Sequence, residues 1–196
     1  MKKSLVIALF LGISIIQVIT PLSMIVKREY VLKNGEQFKF KTAPVDPYDA
    51  FRGRYVALRI QGDEISVPKE LRLDNGQAIY AVINIDDQGF ANLTRVSVDK
   101  PHGEAYILAK VKYVSGDKVF LDLPIDRYYM EEKSAPAAER VYRQFSQRNK
   151  QDAYIVVRIK DGFAVIESLY VGGQKIEDAV RSNTKSLLSK LAKTEI

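Results

Sequence analysis

The stretch Ala78–Val98, AIYAVINIDDQGFANLTRVSV, decides the fold. Apolar and polar residues alternate with a period of two on both sides of Asp86-Asp87-Gln88-Gly89, which predicts a β-hairpin. The same grammar returns at residues 152–171, DAYIVVRIKDGFAVIESLYV: strand, Asp-containing turn, Gly-Phe-Ala, strand. Upstream, FKTAPVDPY (40–48) matches FLDLPIDRY (120–128) as Phe, three residues, Pro, a β-branched residue, Asp, any residue, Tyr. Two echoes in the same order predict two similar halves, 29–100 and 104–173. Convergence of two hairpins on one turn chemistry would give the same text.

Working outward, further strands are predicted at 37–42, 54–60, 104–114 and 118–123. Turn chemistry separates the strands at Asn34-Gly35, Asp74-Asn75-Gly76, Ser115-Gly116-Asp117 and Asp161-Gly162. One helix is expected over 134–149, with Ser134 as N-cap and Ala138, Val141, Tyr142 and Phe145 on one face. A second, over 174–196, sets Ile176, Val180, Thr184, Leu187, Leu188 and Leu191 on a stripe. The expected fold is mainly β, an antiparallel sandwich or barrel-like arrangement, with two helices and one N-terminal transmembrane helix.

That N-terminal segment follows Met1-Lys2-Lys3 as an uncharged apolar run over residues 4–26. About 22 residues at about 1.5 Å each give about 33 Å, enough to span a bilayer core. A cleavable signal has a shorter apolar region and a small-residue site after it. Here Thr20 and Ser23 lie inside the run, so residues 1–28 are read as an uncleaved anchor. Residues 29–173 form the β-rich domain. Lys2, Lys3 and the α-amino group at one end outweigh Lys27 and Arg28, offset by Glu29, at the other. The expected topology places the N-terminus in the cytoplasm and the main domain outside it, on a bacterial inner membrane.

Composition limits the chemistry. The 196 residues include no cysteine and one histidine, which excludes disulfides and thiolate catalysis and would leave a zinc or haem site only unusual ligands; no metal or cofactor is expected. The net charge is +6. Lys2, Lys3, Lys27 and Arg28 against Glu29 account for half of it, so the remaining surface is mixed and no nucleic-acid footprint is expected.

The densest functional text is DPYDAFRGRY (46–55), which runs into VALRI. Asp46-Pro47 favours an extended entry to a turn, Asp49 can bond the backbone ahead of it, and Gly53 supplies conformational freedom. Asp46 and Asp49 then lie close to Arg52 and Arg54, and Val56, Leu58 and Ile60 face one side of the strand. This segment resembles the signature of the GDYXXLXY family, bacterial membrane-anchored proteins without an assigned biochemical activity. Asp46, Pro47, Asp49, Arg52, Gly53, Tyr55 and Leu58 match it; Arg54 stands where the motif has Asp, and Ile60 where it has its last Tyr. RYYMEE (127–132) resembles the family's Arg-Tyr-Phe-Val-Pro-Glu segment, matching at Arg127, Tyr128 and Glu132, with Glu131 at the proline. Residues 155–173 resemble its closing hairpin. Such proteins are commonly encoded beside polytopic membrane proteins, so the resemblance implies a membrane partner of that kind.

The resulting expectation is a tethered, non-enzymatic module that binds or assembles with another envelope protein. Arg52, Arg54 and Tyr55 form its recognition surface, echoed by Tyr48, Arg127, Tyr128 and Tyr129. The alternative is a tethered hydrolase. A Ser/Lys version would use Ser23 with Lys110 or Lys112, and a carboxylate or Ca²⁺ version would use Asp46 and Asp49 with Glu131 and Glu132. Asp46 and Asp126 fall at corresponding corners of the two echoes. His102 is read as a solvated loop residue.

Overall fold

The computed structural model describes residues 3–43, 55–68, 71–131, 134–146 and 152–182. Asp46, Pro47, Tyr48, Asp49, Arg52, Gly53, Arg54 and Glu132 lie outside these residues, as does most of the predicted C-terminal helix.

Helix α1 (Lys3–Asn34) is 32 residues long, about 48 Å at 1.5 Å per residue. The large apolar side chains described along its apolar run are exposed on every side, from Phe10 at 67% to Ile13 at 49%. It is the one described helix long and apolar enough to cross a membrane. Pro21 is accommodated within it, and the hydroxyls of Ser14 and Thr20 donate back to the carbonyls of Phe10 and Ile16. Among its described side chains Val31 alone is buried, at 3% exposure, where the last turns lie on the β domain.

Asn34-Gly35 ends this helix rather than joining two strands. The Gly35 N–H donates to the Val31 carbonyl at 2.7 Å, and the chain then enters β1 (Glu36–Ala43) directly. The Asn-Gly pair reads as a hairpin turn only when strands flank it, and here a helix precedes it.

The predicted strand 54–60 is two strands, β2 (Tyr55–Ala57) and β3 (Arg59–Ile60). The break comes at Leu58, whose N–H donates to the Asp126 carbonyl at 2.8 Å. Before it the chain pairs with β9 (Arg127–Tyr129), and after it with β1. Val56, Leu58 and Ile60 nevertheless all face the core. The next elements are β4 (Glu64–Ser66), β5 (Ala78–Ile85), β6 (Ala91–Ser97), β7 (Tyr106–Ser115) and β8 (Lys118–Asp122). Helix α2 (Ala135–Ser146) precedes β10 (Ala153–Lys160), β11 (Phe163–Val171) and β12 (Gln174–Lys175). A third helix, α3, begins at residue 176 and is described to 182. Residues 174 and 175, expected to open it, instead pair with β11. The short strands β4, β9 and β12 carry too few alternations to be legible in sequence.

Two five-stranded antiparallel sheets result, in the orders β12-β11-β10-β1-β3 and β4-β8-β7-β5-β6, with β2-β9 as a separate ribbon. Edge strand β3 runs on into β4, the edge of the other sheet, and Leu108 of β7 donates to the Gly162 carbonyl in the β10–β11 turn. The sheets therefore close in barrel-like form on one core, which holds Phe38, Phe40, Val56, Ile79, Ile107, Val119, Ile125, Ile155 and Leu169. Ala138, Val141 and Tyr142 of α2 and Ile176 and Val180 of α3 join it; the predicted stripe of α2 is thus its buried face. The Tyr142 hydroxyl donates to the Ala43 carbonyl at 3.0 Å.

The two echoed hairpins are alike in detail. β5–β6 and β10–β11 each carry a bulge, at Thr94 and at Glu167, five residues after the turn glycine in both. The upstream echo behaves differently. It aligns β1 with β8, but β1 sits beside the β10–β11 hairpin, whereas β8 is separated from the β5–β6 hairpin by β7.

Candidate functional site

The ribbon β2–β9 gathers the motif residues that the structure describes. Its register sets Tyr55 opposite Tyr129, Val56 opposite Tyr128 and Ala57 opposite Arg127. The Tyr55 and Tyr129 rings meet edge to face with centroids 5.7 Å apart, a geometry that suits the quadrupoles of the two rings. The Arg127 guanidinium lies over the Tyr55 ring at 5.3 Å and pairs with Asp126 at 3.3 Å. Hydrogen bonding to Tyr129 and the charge of Asp126 hold Arg127 further on its protonated side. Two parts of the sequence more than 70 positions apart thus form one tyrosine–arginine cluster, where the sequence reading sets them as separate, echoed surfaces.

Alternation along the ribbon divides the roles. Val56 is fully buried and Leu58 nearly so, which makes the motif leucine a core residue. Tyr128 also points inward and is half-buried; its hydroxyl donates to Glu177 of α3 at 2.5 Å. Burial, and then that bond to Glu177, push the Tyr128 phenol well above its ordinary pKa. Tyr129 projects outward with 59% of its surface exposed.

Three hollows adjoin the Asp126-Arg127 pair. One of about 420 Å³ runs from Tyr55 past Arg59 and Asp63 to Tyr113, Phe120 and Asp122. Arg59 makes a two-point contact with Asp63, both bonds 3.0 Å, and the Tyr113 and Phe120 rings stack at 4.3 Å. A second, of about 290 Å³, lies between α1 and the ribbon and is lined by Arg28, Arg127, Tyr128 and Tyr129 over Ala164–Ile166 of β11. A third, of about 520 Å³, opens over Leu108, Lys110 and Leu123.

Sequence reasoning missed Arg28, Arg59, Asp63, Tyr113, Phe120 and Glu177 as members of this region. Tyr113 and Phe120 flank the Ser115-Gly116-Asp117 turn and pair across it, so the turn held the signal for that contact. The others arrive through tertiary topology, which no local pattern announces.

Of the groups considered for hydrolysis, those among the described residues are dispersed. Ser23 lies on α1 with its hydroxyl donated to the Thr20 carbonyl at 2.7 Å, whereas Lys110 and Lys112 project from β7 as exposed side chains. Glu131 follows the ribbon, and its carbonyl accepts the N–H groups of Ser134 and Ala135 at the start of α2. His102 is exposed in the loop before β7. No group of three or more His, Cys, Asp or Glu side chains arranged to hold a metal ion occurs among the described residues.

An apolar N-terminal helix that fits a single-pass membrane anchor is joined without a break to a barrel-like β domain, with a tyrosine–arginine ribbon beside the junction. The chain belongs to the GDYXXLXY family, whose model matches residues 17–169, from the second half of α1 to β11. No curated protein and no solved structure matches the chain.

Proposed function

We propose that this protein is an extracytoplasmic module tethered to the bacterial inner membrane, N-terminus in the cytoplasm, that assembles with a polytopic membrane protein through the β2–β9 ribbon. The observation that carries this reading is the exposed Tyr129 ring braced by Tyr55 and Arg127. Tyrosine and arginine are the residues that most often dominate protein contacts, and bracing lowers the entropy cost of using them. The adjoining 420 Å³ hollow offers a recess in which a partner's side chains can be seated. The position of the ribbon beside Arg28, just past the apolar run, favours a partner that itself lies in the membrane. Lys2, Lys3 and the α-amino group on one flank of the apolar run outnumber Lys27 and Arg28 on the other, which favours the N-in topology.

The test is a photo-crosslinking amino acid at position 129 of the full-length protein, irradiated in the native envelope. A stoichiometric membrane-protein adduct, weakened by Tyr55→Ala and Arg127→Ala, is the expected result. A folded, inserted protein that gives no adduct would move the reading to a soluble ligand or substrate in the hollow, the tethered-hydrolase alternative. The absence of native cysteine makes the topology directly testable. A single cysteine at Gly116 should react with a membrane-impermeant thiol reagent added from outside the inner membrane.

A further inference from the structure

The hollow between α1 and the ribbon has a fixed depth relative to the anchor. The apolar run of α1 ends at Val26, and Arg28 follows two residues later, about 3 Å further along the axis. A bilayer whose core is about 30 Å thick and whose total is about 40–45 Å has about 5–8 Å of headgroup layer on each side. Arg28 therefore lies at the level of the lipid phosphates once the apolar run fills the core.

The β domain cannot swing away from that level without breaking its junction with α1. Val31 is buried against it, and the Lys27 ammonium sits 4.2 Å from the Phe163 ring centroid. Lys160 caps the Tyr30 ring at 5.1 Å, and Arg158 donates to the Gly35 carbonyl at 3.2 Å. These contacts carry the ribbon, and Arg127 with it, to the same depth as Arg28.

The charge and size of the hollow define its ligand. Arg28 has no carboxylate partner among the described residues, while Arg127 is shared with Asp126. Two guanidiniums against one carboxylate leave one net positive charge, the complement of a phosphodiester. Guanidinium is suited to paired bonds with phosphate oxygens. A volume of about 290 Å³ is at the lower edge of small-molecule sites, about 300–1,000 Å³, and fits a headgroup better than an extended ligand.

We propose that this hollow binds the phosphodiester of a membrane phospholipid, with Arg28 and Arg127 donating to its oxygens. The proposal rests on the tethered reading and shares Arg127 with the partner surface; Arg28→Gln separates the two, since it should lower lipid retention and leave the Tyr129 crosslink in place.

The test uses the full chain purified from membranes in mild detergent, with retained phospholipid counted by native mass spectrometry. Arg28→Gln and Arg127→Gln should each reduce retention at least about tenfold, the effect of losing a charge-assisted hydrogen bond to phosphate. Lys27→Gln, one residue away but turned onto Phe163, should leave it unchanged. Arg127 lies outside the anchor, so its variant tests the hollow even where Arg28→Gln alters insertion. Equal retention in all variants would overturn the proposal. So would an equal loss in Lys27→Gln, which would mark general surface charge rather than a site. Inorganic phosphate added to the delipidated protein is the remaining arm. A rise in Tm that depends on Arg127, without lipid retention by the wild type, would assign the hollow to a soluble anion and overturn the lipid reading.

Discussion

The Tyr128 hydroxyl donates to the Glu177 carboxylate across 49 positions of sequence, tying the inner face of the ribbon to α3. Tyr128 is half-buried, and burial first, then Glu177, keep its phenol protonated beyond the usual range. Tyr128→Phe should cost about 1–2 kcal/mol for a hydrogen bond to a charged group at this depth, or roughly 2–8 °C in Tm. The pH dependence has a definite sign. A phenol whose folded pKa is raised contributes stability that is intact below about pH 10, the unfolded value, and is lost above it. Wild type should therefore lose stability more steeply above pH 10 than Tyr128→Phe, as measured by chemical denaturation across the alkaline range. Parallel curves would mean that Tyr128 titrates normally.

Gly35 marks where the anchor becomes the domain. A β-carbon there would stand 2.6 Å from the Val31 carbonyl oxygen and 3.1 Å from the backbone N and O of Ile159. All three are backbone atoms, so none can rotate away. Gly35→Ala should destabilise the domain by about 1–3 kcal/mol through overpacking. It should also loosen the docking of α1, read as new protease sensitivity between residues 27 and 36 in detergent-solubilised protein.

The hairpins 78–98 and 152–171 were legible because each is local: alternation states which face is buried, and the turn residues state where the chain reverses. The bulges at Thr94 and Glu167 were not, because a bulge is settled by what the partner strand offers. The motif pointed to Tyr55 and to Arg127-Tyr128-Tyr129 as related surfaces, yet their pairing across β2–β9 depends on β2 and β9 lying edge to edge. Three-residue strands have no period to read. Arg28 was legible only as a flanking charge, since its place beside the ribbon follows from how the last turns of α1 lie on β10 and β11. Asp46, Asp49, Arg52 and Arg54, the densest charges of the motif, fall outside the described residues.

Glu167, the bulge residue of the second hairpin, accepts from Arg158 at 2.7 Å and from Gln37 at 3.2 Å. Burial opposes its charge, but these two bonds outweigh it and hold its carboxyl below the usual glutamate range. Its contribution to stability is therefore present above about pH 4.3, the unfolded value, and is lost as pH falls through the folded one. Glu167→Gln should be less stable than wild type at neutral pH, with the gap closing in acid. A constant gap across a pH series of thermal denaturations would mean that the Arg158 pair contributes nothing.

The β10–β11 turn separates two demands on adjacent residues. Asp161 and Gly162 both have positive φ, 51° and 77°, the pattern of a tight hairpin turn with the strand twist. Aspartate tolerates that region and glycine more so, and Asp161→Gly should change stability by no more than about 0.5 kcal/mol. Gly162→Ala meets two penalties: the left-handed backbone, and a β-carbon 2.6 Å from the Tyr106 ring and 2.8 Å from Leu108. It should cost about 2 kcal/mol or more. Because the Leu108 N–H bonds to the Gly162 carbonyl, the loss should spread to the seam between the sheets, with faster amide exchange at Leu108. Protection unchanged at Leu108 would show that the seam is held by side chains alone.

The exposed and braced members of the ribbon should respond differently to truncation. Tyr129 is mostly exposed, so Tyr129→Ala should cost little beyond its ring contact with Tyr55, about 0.5–1.5 kcal/mol. Tyr55 is half-buried under Arg127 and against Tyr129, and Tyr55→Ala should cost about 0.5–1.5 kcal/mol beyond its lost burial. In capture of the membrane partner the order should invert. Tyr129→Ala should weaken it by about thirtyfold, the scale of a dominant contact residue, and Tyr55→Ala by less, because it acts by holding Tyr129 and Arg127 in place. Arg127→Lys sharpens the comparison, since it keeps the charge but lacks the planar group that lies over Tyr55. Its capture should fall between wild type and Arg127→Ala. Capture unaffected by Tyr129→Ala, in protein that remains folded and inserted, would remove the ribbon as the contact surface.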